Sequence, residues 1–207
     1  MPRSTKNKHQ EKSEATRRKL FAAALRVFLR DGFEAARIED IAAEAGFTRG
    51  AFYAHFPSKE DLFFALVEQE MQKHLTRLRT ELENCTDEAS RLLAFRNHYA
   101  TRSPLRAWSI LILEFKLYAI RHPRIRAQLV RSYRSIREKL KVESLWQSAF
   151  CGVKGDSGEK ELLHAALNGL VLQRAYDPSS ISAAQMASLL GSLFDCIVGS
   201  KLPQPKP

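Results

Sequence analysis

Residues 38–63, IEDIAAEAGFTRGAFYAHFPSKEDLF, constrain this chain more tightly than any other stretch. Ile38, Ile41, Ala42 and Ala45 recur at i, i+3, i+4 and i+7, which places them on one face of a helix. Ala42 is small where a following helix must cross closely. Gly46 comes next, where a sharp turn needs a left-handed backbone angle that costs glycine little. Thr48 can cap a second helix, and Phe52 and Phe56, one turn apart, can tie that helix back to the domain. Two helices joined around a glycine by a few residues form the motif that sets its second helix in a major groove. A plain helical hairpin would show the same spacing, so spacing alone leaves that reading open.

The flanks narrow the choice. Pro57 ends the short helix, Ser58 is placed to cap the next, and Asp61 stands at the capping-box position three residues on. Lys59 then lies at the mouth of a helix N-terminus, a place that also favours phosphate. Upstream, Leu20, Phe21, Ala24, Val27 and Phe28 form one apolar stripe that stops at Asp31-Gly32. A small three-helix domain with a basic reading surface is expected.

These residues resemble a known family. Ala24 and Phe28, Gly32-Phe33, Ile41-Ala42, Ala45-Gly46, Phe52-Tyr53, His55-Phe56 and Lys59-Glu60-Asp61-Leu62 look like the TetR family of bacterial transcriptional regulators, over about residues 14 to 74. The resemblance implies a dimeric regulator of all-α fold. It would have an N-terminal helix-turn-helix domain joined by a long helix to a larger helical domain for ligand binding and dimerisation. It also places Thr48, Arg49, Gly50, Ala51, Tyr53 and His55 at double-stranded DNA, with Phe52 and Phe56 facing inward. Arg49 is the candidate for a guanine edge, and Tyr53, His55 and Lys59 for phosphates. The chain departs from the family where the second helix begins. Thr or Ser is usual there, but Ala36 and Arg37 offer no capping oxygen, so Arg37 is a candidate phosphate contact instead.

Charge agrees with a nucleic-acid partner. The net charge is +10. Residues 1–20 carry Arg3, Lys6, Lys8, Lys12, Arg17, Arg18 and Lys19 against Glu11 and Glu14, a balance of +5. Such an arm could release counterions from a duplex, or be a solvated tail. A second basic block, residues 102–141, sets eleven Lys/Arg against Glu114 and Glu138. It reads as the exposed face of a helix, with an anionic effector or a second DNA contact as the sharper alternative. No apolar run is long enough to span a membrane, and the basic N-terminus lacks a secretory core, so a cytoplasmic protein is expected.

The remaining chain reads as helices with polar punctuation. The expected division is a flexible arm at 1–12, the DNA-binding domain at 13–60, an effector and dimerisation domain at 61–200 and a tail at 201–207. A long helix spans 59–83, and another runs from a Thr86 or Asp87 cap to about Arg102. LRAWSILILEFKLYAI, apolar almost all round, asks for burial on most sides until His122-Pro123 stops it. A basic helix is expected over about 124–150, then helices at about 159–176 and 182–199, the last with a Ser182/Gln185 capping box. The final two carry more apolar surface than one core needs. Ala165, Gly169, Leu170, Met186, Leu190, Gly191, Phe194 and Ile197 are therefore the candidate homodimer interface, a four-helix bundle about a two-fold axis.

A small-molecule effector would need a mostly apolar cavity with a few polar groups. Phe95, Tyr99, Trp108, Leu111, Glu114, Phe115, Tyr118, Phe150 and Asn168 are candidate lining, although each could equally be core. Glu114 interrupts a buried run and wants a partner, whether structural or a ligand. Nothing points to an enzyme. The six histidines are scattered without metal-ligand spacing, and no phosphate loop or nucleophile elbow occurs, so no catalytic residue, metal or cofactor is expected. Cys85, Cys151 and Cys196 leave a redox-responsive regulator as one alternative, and a sequence-blind architectural DNA binder is another.

Overall fold

The protein is described from a computed structural model over residues 5–100, 106–142 and 157–199. Every regular element in that range is an α-helix. In chain order these are α1 (Thr5–Asp31), α2 (Ile38–Glu44), α3 (Arg49–Tyr53), α4 (Lys59–Glu83) and α5 (Glu88–Ala100). They are followed by α6 (Arg106–Arg121), α7 (Pro123–Lys139), α8 (Ser157–Tyr176) and α9 (Ala183–Gly199). The expectations on Phe150, Cys151 and the tail at 201–207 lie outside the described residues, as does the side chain of Tyr99.

Several helix ends are set by local chemistry. Ser58 and Asp61 form the expected cap of α4: Asp61 N–H donates to Ser58 Oγ at 3.0 Å, and Ser58 Oγ donates to Asp61 Oδ2 at 2.7 Å. Asp87 caps α5 by accepting from Ser90 N–H at 2.8 Å. Ser182 and Gln185 complete a reciprocal box at the head of α9, at 2.9 and 3.2 Å.

Three expectations are corrected. From Thr5 to Lys12 the expected arm is the first part of α1 rather than a separate piece. No glycine or proline interrupts residues 5–31, and most of that run favours helix. The basic helix does not reach 150; α7 stops at Lys139. Lys141 takes a φ of 50°, and the turn buries Leu140 and Val142 beside Leu75, Leu78 and Leu82, with the Arg79 guanidinium donating to the Leu140 carbonyl. Finally, the expected burial of α6 on most sides leaves one apolar edge open. Leu111, Phe115 and Ala119 are buried, whereas Leu117 and Ile120 are 58% and 61% exposed in the single chain.

The chain forms two compact units. The first comprises Met1–Glu70 with Glu114–Ser132, the second Met71–Leu113 with Tyr133–Pro207. Helices α4, α6 and α7 each run from one unit into the other, so the break falls at residue 70 rather than 60, and a later segment joins the N-terminal unit. An aromatic cluster explains that membership. Phe33 meets Phe63 and Phe115 edge-on at 5.2 and 4.5 Å, and Phe63 stacks on Phe115 at 4.1 Å. In the second unit, Leu75, Leu78, Leu82, Phe95, Ile136, Leu163 and Phe194 share one core, while Ala100, Leu167, Val171, Met186 and Leu190 share another.

Candidate nucleic-acid interface

The turn between α2 and α3 is fixed by backbone bonds. Phe47 N–H reaches Ala42 O at 2.8 Å and Gly46 N–H reaches Ala43 O at 2.9 Å, with Gly46 at φ 76°. This paired pattern around a left-handed residue closes a helix and aims the chain into the next one. Thr48 then caps α3 by accepting from Ala51 N–H at 3.2 Å. Phe52 is fully buried, so α3 is anchored by one face. Thr48, Arg49, Gly50 and Tyr53 are exposed on it, and Ala51 and His55 are half-buried. A Cβ built on Gly50 would touch only Thr48 Oγ1 at 3.8 Å, so the fold itself does not require glycine there.

Arg49 is the most engaged of these. Its guanidinium pairs with Glu39 at 2.8 Å, lies 5.5 Å from the centre of the Tyr53 ring and donates to Tyr53 Oη at 3.4 Å. The Tyr53 hydrogen bond, with the Glu39 charge, holds its pKa above the ordinary value. Both members of the ion pair are more than half exposed, and such surface pairs are weak and easily exchanged for a stronger acceptor. Upstream, Arg37 is the N-cap of α2 and makes no side-chain cap bond, in line with its lack of an oxygen.

The structure corrects Lys59. Its ammonium donates to the carbonyls of Phe33 at 2.7 Å, Glu34 at 3.0 Å and Ala36 at 2.9 Å, and sits 4.6 Å from the centre of the Phe33 ring. All three N–H donors are spent inside the protein, which removes it from the candidate phosphate contacts. Sequence reading missed this because the three acceptors lie 23 to 26 residues away. Elsewhere on the unit, α1 brings cations toward the same elements. Arg17 lies 4.6 Å from the Phe56 ring centre and Lys19 lies 5.9 Å from that of Phe47, while Lys12, Arg18 and Lys19 are exposed.

Residues 20–66 match the family described as "Bacterial regulatory proteins, tetR family". Over this span the chain is similar to the TetR family. The HTH-type transcriptional regulator YwcC of Bacillus subtilis is 38% identical over 68 residues, 33% of this chain and 30% of that one. The chain spans about a third of the length of the first curated relatives it matches. The wider fold is shared more broadly. A protein of Saccharomonospora viridis in complex with choline aligns with a TM-score of 0.65 at 24% identity, covering 88% of this chain and 96% of that one. FadR of Bacillus subtilis in complex with stearoyl-CoA aligns with a TM-score of 0.60 at 16% identity, covering 87% and 96%.

The second unit holds only part of the expected effector lining. Trp108 and Asn168 are half-buried there and Leu111 is buried. Phe95 is core, 1% exposed and packed against Phe194. Glu114, Phe115 and Tyr118 belong to the first unit and are engaged in it. Glu114 Oε1 accepts from Phe33 N–H at 2.8 Å, Phe115 completes the phenylalanine cluster, and Tyr118 Oη donates to Glu60 at 3.1 Å. Burial, reinforced by Glu60, raises the Tyr118 pKa. A carboxylate interrupting the apolar run of α6 is therefore satisfied by backbone.

His98 is buried, with Nδ1 at 3.0 Å from Glu81 and Nε2 at 2.9 Å from His74 Nε2. An ionised Glu81 only accepts, so His98 carries the proton on Nδ1, and its Nε2 accepts from His74 while neutral. Burial opposes ionisation of Glu81, but the bonds from Arg77 and His98 outweigh it and hold its pKa below the usual value.

The interface candidates divide by face. Met186, Leu190 and Phe194 are at most 2% exposed in their own chain's cores, and Gly191 lies under the Arg96 guanidinium, which pairs with Asp195 at 2.7 Å. Those four are corrected from interface to core, because the inward stripe of α9 covers α5 and α8 of the same chain. Leu170 and Ile197 are half-buried, whereas Ala165 and Gly169 are exposed and nothing within the chain approaches Gly169. Leu162, Leu172 and Tyr176 of α8 and Leu189 of α9 are exposed beyond that, at 51%, 55%, 86% and 50%.

Proposed function

We propose that this protein is a ligand-responsive repressor that binds a palindromic operator as a homodimer and is released by a small-molecule effector. The observation that carries this is α3: a capped short helix anchored by buried Phe52, with Thr48, Arg49, Gly50 and Tyr53 exposed beside a rigid glycine turn. Two such helices related by a two-fold axis would occupy successive major grooves. Arg49 would exchange Glu39 for a guanine edge. Thr48, Tyr53, His55 and Arg37 would meet phosphates, with Gly50 and Ala51 letting the backbone approach. The exposed cations of α1 would add sequence-independent attraction.

The dimer reading is supported by Leu162, Ala165, Gly169, Leu172 and Tyr176, which recur at alternating steps of three and four along α8, the period of a helix seam. The effector reading is supported by fold neighbours that hold choline and stearoyl-CoA. In this chain the second unit, around Trp108, Leu111 and Asn168, is the proposed place. An effector acts by binding one head spacing better than the other. Sequencing duplexes selected by the purified protein from a random pool tests the reading. Recovery of an inverted repeat with half-sites about one helical turn apart is expected, and recovery of no preferred sequence would overturn it.

A further inference from the structure

We propose that Lys59 and Glu114 are positioning residues for DNA reading, a clasp that fixes the 32–37 turn delivering α2 and the reading helix behind it. This rests on the DNA-binding reading of α2 and α3 above. The turn is held by side chains from two other helices. Glu114 of α6 takes the Phe33 N–H at 2.8 Å, and Lys59 of α4 takes the Phe33, Glu34 and Ala36 carbonyls at 2.7, 3.0 and 2.9 Å. Gly32, at φ 80°, admits the carboxylate, since a Cβ there would stand 2.5 Å from Glu114 Oε1. No side-chain cap fixes the start of α2 from within, because Arg37 makes none.

Three carbonyls converge on one ammonium, and the aromatic face of Phe33 closes over it. Burial pushes the Lys59 pKa down, while Glu60, Glu34 and Glu114 push it back up. With every donor spent, Lys59 acts on DNA through the turn and not by touching a phosphate. Loss of either member leaves polar backbone groups unpartnered and lets the approach angle of α2 drift.

The test uses the full chain and a duplex it selects from a random pool, with random-sequence DNA as reference, titrated over a range of salt. Lys59→Met and Glu114→Ala are expected to weaken selected-duplex binding roughly tenfold. Random-DNA binding and the salt slope should stay at wild-type values. Glu114→Gln, whose amide oxygen still accepts from Phe33 N–H, should stay near wild type. A phosphate contact would give another result: Lys59→Met would weaken both duplexes alike and reduce the slope by about one charge, overturning the proposal. Wild-type behaviour of Glu114→Ala, or equal loss on both duplexes with an unchanged slope, would overturn it too. A wild type that selects no duplex removes the DNA reading itself, and the proposal with it.

Discussion

Arg49 shows how a reading residue waits. Its partners Glu39 and Tyr53 lie on the same exposed surface, so the guanidinium is oriented without being committed. If it exchanges them for guanine, Arg49→Ala should cost discrimination at one base position, about tenfold or more, while random-DNA affinity changes little. Binding to a panel of single-base operator variants checks this, and an unchanged preference at every position would remove Arg49 from the base contacts. Glu81 offers a pH handle in the second unit. Its native pKa is depressed, so its contribution to stability is complete above the unfolded carboxylate pKa and is lost as pH falls through the native value. Glu81→Gln should therefore flatten the acid limb of stability against pH, followed by thermal melting from about pH 7 to about 3. An acid limb as steep as the wild type's would assign that dependence to other carboxylates.

At the scale of elements, the chain's own caps and turns decide most helix ends. Ser58 with Asp61, Ser182 with Gln185 and Gly46 at positive φ all act within a few residues, so their spacing announces them. Helix α2 is the exception. Arg37 has extended N-cap geometry, φ −103° and ψ 148°, but nothing to cap with. Arg37→Thr should add about 1 kcal/mol of stability by supplying the missing acceptor. If Arg37 meets a phosphate, the same variant should lower affinity and salt slope together. Urea unfolding and salt-dependent binding separate the two effects, and tighter DNA binding would exclude that contact.

Across the whole molecule, the apolar surplus of the last two helices resolves into an inward and an outward stripe. Gly191 tests the first, since its neighbour is Arg96 of the same chain, whereas Gly169 faces open space and tests the second. Gly169→Glu should give monomers of normal helical content that lose operator binding at physiological salt, because each head alone buries too little DNA surface. Light scattering with sizing reads this directly, and a persistent dimer would move the interface off α8.

Much of this was legible from the chain alone. Helix periodicity, capping boxes and the glycine turn follow from interactions within one or two turns, so the helix-turn-helix and most helix ends could be read in advance. Tertiary structure decided which of two apolar faces turned inward, which is why Met186, Leu190 and Phe194 went to the core while Leu162 and Leu172 remained outside. It also chose the partners of Glu114 and Lys59, groups 81 and 23 to 26 residues away. Sequence shows that a buried carboxylate or ammonium must be satisfied. Only packing brings a particular backbone within hydrogen-bond reach, because that distance depends on helices meeting through side chains far apart along the chain.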